Sequence, residues 1–96
     1  MLSLSQARAM VEDILRKMDE FEPGELVVLG HETIERPSLW VFFYTSRLYL
    51  ETGDLSHALA GNAPYIVNRL TGEITGTGTA YPVDYYVSRY EAGLSW

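Results

Sequence analysis

Apolar residues recur at helical spacing from the start of the chain: Leu4, Ala7, Val11, Ile14, Leu15 and Met18 put one hydrophobic stripe on a helix of about four turns. Ser3 followed by Gln6 reads as a capping box at its start, and Pro23-Gly24 ends whatever follows it. Leu26 to Leu29 is a short β-favouring run, which Thr33 to Glu35 prolongs past Gly30, a residue suited to a bulge. The stretch ERPSLWVFFYTSRLYLETGD then predicts two strands, Trp40 to Thr45 and Leu48 to Glu51, turned at Ser46 and Arg47. Pro37 precedes the first of them because proline has no N–H for a ladder. In that strand Trp40, Phe42 and Tyr44 point one way and Val41, Phe43 and Thr45 the other. Both faces are apolar, so a central strand with Trp40, Val41, Phe42 and Phe43 in the core is expected.

Asp54 is placed to cap a short helical turn to Ala60, which GNAP at Gly61 to Pro64 breaks. Tyr65 to Arg69 and Glu73 to Thr77 read as a hairpin around Leu70-Thr71-Gly72, with the glycine free to take positive φ. Pro82 opens a last helix, lined on one side by Val83, Tyr86, Val87 and Tyr90 and ended by Gly93. The whole pattern predicts one α+β domain over residues 1–96: an antiparallel meander of about four to five strands, with an N-terminal and a C-terminal helix packed on one face of the sheet. There is no internal repeat or low-complexity tract.

Composition narrows the function. The length of 96 residues supports a core without staples, and the absence of cysteine removes disulfides, thiolate metal sites and thiol catalysis, which suits a cytoplasmic protein. No basic start leads into an apolar run, and the longest hydrophobic run, Leu39 to Tyr44, is far short of the roughly 20 residues of a membrane helix. The net charge of -6 is unevenly placed: six acids and no Lys or Arg lie between Met18 and Glu35, while the remaining acids and bases balance. Such a field repels phosphates and steers a basic partner inward, or it merely keeps the chain soluble. Nucleic acid and membrane partners are therefore not expected.

The candidate chemistry is thin. In HETIE, the second ligand of a zinc-protease helix would have to be Glu35, on what reads as a strand; His31 and Glu35 can share a face there, but a third ligand could only be another acid or the distant His57. Asp54, Ser56 and His57 form the one Ser/His/acid cluster, and their closeness on a single turn aims them apart. GTGTAYP lacks the spacing and setting of a dinucleotide loop. With one lysine and six scattered arginines, the aromatic residues lack the basic groove of a single-strand binder. Burying Trp40 alone removes about 200 Å² from water, on the order of 5 kcal/mol, so core is its default role. Tyr44, Tyr49, Tyr85 and Trp96 are freer to sit at a rim. No cofactor, no metal and no enzymatic activity are expected.

Several stretches are similar to one family over nearly the full chain: the RP before a Trp-aromatic strand (Arg36, Pro37, Trp40 to Tyr44), the GNAP turn at Gly61 to Pro64, and GTGT before a Y..RYE helix ending at Glu91. In these the chain resembles the immunity protein 35 family, also called YrhB-like, of bacterial polymorphic-toxin systems. The resemblance implies a small, non-catalytic cytoplasmic α+β protein that binds a cognate toxin stoichiometrically and blocks it. The negative charge adds the expectation that the toxin is basic. The expected contact residues are Glu22, Glu25, Glu32 and Glu35, with Tyr44 and Arg47 at the rim. The competing reading is a general holdase or scaffold with many clients. Edge strands leave monomer and homodimer both open.

Overall fold

The computed structural model describes residues 2–19, 26–53 and 63–94. Helix α1 (Leu4–Asp19) begins with the expected reciprocal cap: the Gln6 N–H donates to Ser3 Oγ at 3.1 Å and the Ser3 N–H to Gln6 Oε1 at 2.9 Å. Strand β1 (Leu26–Val28), a 3-10 turn (Gly30–Glu32) and β2 (Ile34–Glu35) follow, then β3 (Leu39–Phe42), β4 (Tyr44–Ser46) and helix α2 (Arg47–Thr52). Strands β5 (Tyr65–Asn68) and β6 (Ile74–Gly76) and helix α3 (Val83–Glu91) complete the described chain. The class is α+β, with all described strand pairs antiparallel and a helix towards each end.

The strands form two sheets, β2-β3-β5-β6 and β1-β4. These are two halves of one long hairpin. Glu35 pairs with Trp40 and Ile34 with Val41; the ladder then resumes with Val28 opposite Tyr44 and Leu26 opposite Ser46. Between the halves, the first arm carries the three extra residues of the 3-10 turn, and the second arm is interrupted at Phe43. The interruption expected at Gly30 is thus a whole turn, larger than a single-residue bulge. The expected strand Trp40 to Thr45 is split at Phe43, and the expected strand Leu48 to Glu51 is part of α2. Ser46 caps that helix by accepting the Tyr49 N–H at 3.1 Å, and Gly53, at φ 68°, closes it by donating to the Tyr49 carbonyl at 2.8 Å.

All four residues of β3 are buried, in alternating directions. Trp40 and Phe42, with Val67 of β5, pack against Ala7, Val11 and Leu15 of α1 and against Leu26, Val28 and Tyr44. Leu39 and Val41, with Ile66 of β5, pack against Val87 of α3, flanked by Val83, Tyr90, Ile34 and Phe43. Helices α1 and α3 therefore cover opposite faces of the sheet, where one shared face was expected. A strand that is apolar at both parities has to be covered on both sides.

Three polar side chains tie the layers together. Arg36 makes a bidentate pair with Glu91, Nε to Oε2 at 3.1 Å and NH2 to Oε1 at 2.8 Å, fastening the β2–β3 connection to the end of α3. Arg69 lays its guanidinium 4.4 Å over the Trp40 ring and donates to the Arg36 carbonyl at 2.8 Å. Asn68 shapes the β5–β6 turn by accepting the N–H groups of Leu70 and Thr71 at 2.9 and 3.0 Å, and its amide donates to the Tyr90 hydroxyl at 3.2 Å. Gly72 supplies the φ of 78° that this turn requires. The expected helical turn Asp54 to Ala60 lies outside the described residues, as do Gly61 and Asn62.

Two outcomes follow from this packing. Phe42→Ala, at a fully buried position, should destabilise the protein by about 3–5 kcal/mol in denaturant unfolding; a cost near zero would show that β3 is not the packed centre. The second concerns acid. The Arg36 guanidinium, by hydrogen bond and then by charge, holds the Glu91 carboxyl below the usual carboxylate range. A lowered folded pKa stabilises above the unfolded value of about 4.3 and loses that contribution as pH falls through the folded one. Thermal melts should accordingly show wild type more stable than Glu91→Gln at neutral pH, with the gap closing in acid. A gap independent of pH would mean that the pair's charge is not what stabilises this joint.

Candidate functional site

Where the long hairpin is interrupted, a cleft of about 450 Å³ opens between the two sheets. Its first wall is the 3-10 turn, held tight by the Glu32 N–H donating to the Leu29 carbonyl at 3.0 Å and the Thr33 N–H to that of Gly30 at 3.3 Å. The turn is joined to the opposite arm by the Leu29 N–H, which donates to the Phe43 carbonyl at 2.8 Å. This leaves His31 and Glu32 exposed at the mouth. The second wall is the Phe43-Tyr44-Thr45 stretch of the other arm. Tyr44 is buried at 6% exposure, its ring stacked on Tyr65 with centroids 5.8 Å apart. The third wall is α2, whose capped first turn brings Tyr49 and Leu50 to the cleft.

The walls are apolar and aromatic, and one of the eight lining residues, Glu32, is an acid while none is Lys or Arg. Among the described residues Glu32 forms no ion pair, in contrast to Glu12 with Arg8, Asp13 with Arg16 and Lys17, and Glu91 with Arg36. Arg16, chiefly, and Lys17 hold the Asp13 carboxyl below its ordinary range. Glu12, Asp13 and Glu91 are thus balanced by neighbouring cations, whereas Glu32, like Glu35, Glu51, Glu73 and Asp84, has no ion pair among the described residues.

The expected contact residues are only partly brought together. Glu32 and Tyr44 line the same cleft, with Tyr44 as a buried wall where a rim residue was expected. Glu35 is exposed on β2, opposite Trp40. Arg47 lines a different depression, of about 320 Å³, beside Arg8, Arg16 and strand β1. Glu22 and Glu25 lie outside the described residues. Of the expected core set, Trp40, Val41 and Phe42 are buried, while Phe43 is half-buried and serves as cleft wall as well as core flank. His31 and Glu35, expected to share one strand face, fall on different elements, a 3-10 turn and β2. Asp54, Ser56, His57 and Trp96 are outside the described residues.

The cleft residues that pattern reasoning missed are Leu29, Thr45 and Leu50, while Tyr49, read only as free to sit at a rim, enters by way of α2. For Tyr49 and Leu50 a signal of the helix was present: Ser46 and Gly53 bracket RLYLET as an N-cap and a left-handed C-cap do, although the alternation of Leu48, Tyr49, Leu50 and Glu51 favours a strand.

The motifs that carry the family resemblance acquire structural roles. Arg36 of RP and Glu91 of RYE are the two ends of the bidentate pair. Gly78 of GTGT lies under Tyr86, so near that a Cβ there would be 2.6 Å from the tyrosine hydroxyl oxygen. The 2% exposure of Trp40 reflects the Arg69 lid over its ring.

Comparison with known proteins agrees with this pattern. The chain is 48% identical over 52 residues to the uncharacterised protein YrhB of Escherichia coli (strain K12), a match that covers 54% of this chain and 55% of that protein. The match thus spans about half the length of this curated relative. No solved structure matches. The family model for immunity protein 35 matches residues 5–93, from the first turn of α1 to just past the end of α3, and by that match the chain belongs to the immunity protein 35 family.

Proposed function

We propose that the protein binds a cognate toxin stoichiometrically in the cytoplasm and blocks it without catalysis. The family match over residues 5–93 is the observation that carries this reading. The site supports it in kind: a cleft with aromatic walls, at whose mouth stands an acid that no described cation neutralises, suits recognition of another protein's surface. The uneven charge supports a basic toxin, since the acid excess between Met18 and Glu35 would speed encounter with a cationic partner. Glu22, Glu25, Glu32 and Glu35 are the proposed steering residues. Tyr44 and Arg47 enter the proposal differently, Tyr44 as a wall that shapes the cleft and Arg47 as part of a separate surface.

Co-expression with the toxin encoded beside it should rescue growth, and the purified pair should form a complex of fixed stoichiometry. Replacing Glu22, Glu25, Glu32 and Glu35 together by Lys should slow association by about tenfold or more at low salt and flatten its salt dependence, because steering by exposed charges is screened by ions. If the protein instead captures no single partner and suppresses the aggregation of many unrelated chains, it is a holdase and the proposal fails. An unchanged association rate in the quadruple variant would reduce the acid excess to a solubility device.

A further inference from the structure

We infer that the cleft between the two sheets receives one arginine side chain of the partner, stacked on its aromatic walls and paired at the mouth with Glu32. The identity of that partner as a toxin rests on the function proposed above, whereas the chemistry of the cleft is argued from its own residues. An arginine is apolar along its stem, planar and positive at its end, and stacks on aromatic faces while pairing with carboxylates. Leu29 and Leu50 offer the stem an apolar lining, Phe43, Tyr44 and Tyr49 offer ring surface, and Glu32 offers the counter-charge.

Three observations narrow the occupant to a cation. No Lys or Arg lines the cleft; its one basic side chain is His31, exposed at the mouth beside Glu32. Glu32 is exposed, forms no ion pair among the described residues, and is the one acid that lines the cleft. Arg8, which reaches the turn at Gly30, where a Cβ would lie 2.7 Å from its NH1, is engaged elsewhere: it pairs with Glu12 at 3.5 Å and lines the separate depression beside α1. The volume of about 450 Å³ is within the usual range for a small-ligand site, about 300–1,000 Å³, and is ample for a single side chain.

The walls are also tied to one another by hydrogen bonds within the chain. The Leu29–Phe43 hydrogen bond pins the turn to the opposite arm, and the Ser46 cap and Gly53 close hold α2 in place.

The test uses the full chain and an acetylated, amidated Gly-Arg-Gly peptide, with the isosteric uncharged citrulline peptide as control, followed by amide NMR shifts. The arginine peptide should produce saturable shifts confined to residues 29–32, 43–45 and 49–50, with a dissociation constant on the order of millimolar, as expected for one stacked and paired side chain. The citrulline peptide should bind about tenfold or more weakly. Glu32→Gln, a change at an exposed side chain with no described bond, should keep the melting temperature and weaken the arginine peptide by about threefold to fivefold without altering the citrulline result. Equal binding of the two peptides, an unchanged affinity in Glu32→Gln, or shifts that spread over the acidic surface without saturating would each overturn the inference. A protein that takes up the arginine peptide but neutralises no toxin refutes the proposed function alone. One that neutralises its toxin and ignores the peptide refutes the cleft assignment alone.

Discussion

The structure depends on the burial of both faces of Leu39–Phe42. A strand whose side chains are apolar at odd and even positions cannot rest on water at either face, so two covers are required. Helix α1 supplies one through Ala7, Val11 and Leu15, and α3 supplies the other through Val83, Val87 and Tyr90. The polar ties follow from this layering. Arg36 with Glu91 binds the α3 layer to the turn that enters β3, Arg69 lies over the ring of the buried Trp40, and Asn68 links the β5–β6 turn to Tyr90 of α3. Each is a planar group with several donors or acceptors, suited to a junction where backbone ladders end.

The site is a product of the same strand. Beyond Phe42 the ladder cannot continue in register, because the first arm of the hairpin carries three residues more than the second. The surplus is wound into the 3-10 turn, the second arm gives way at Phe43, and the two sheets part there. The resulting cleft is walled by groups tied into the scaffold: a 3-10 turn, an extended segment anchored in the core by Tyr44, and a short helix capped at both ends. The proposed binding cleft thus lies at a local irregularity of a well-packed hairpin, where strand pairing is interrupted.

Much of this is legible in the order of residues, and the exceptions have physical causes. The α1 cap, the two-faced strand, the β5–β6 hairpin with Gly72 and the apolar side of α3 are local patterns at spacings of two, three and four, and the structure contains each of them. Helix α2 is misread because Leu48, Tyr49, Leu50 and Glu51 alternate as a strand would; Ser46 and Gly53 decide the matter through caps, which outweigh periodicity in so short a segment. The placement of the two helices on opposite faces is implied by the two-faced strand once the helices are recognised as its covers. The Arg36–Glu91 pair, separated by 55 positions, has no local signature at all. Of the site, Glu32 was visible through its charge, but Tyr49 and Leu50 reach it only through the helix that the alternation conceals.

The central claim is that the interrupted hairpin holds the partner. Hydrogen–deuterium exchange on the protein alone and in its purified toxin complex tests this most directly, because it maps contact without altering any residue. The account predicts that complex formation slows exchange across residues 29–32, 43–45 and 49–50. Slowed exchange confined to other segments, such as the outward face of α1, with those three unchanged, would contradict it.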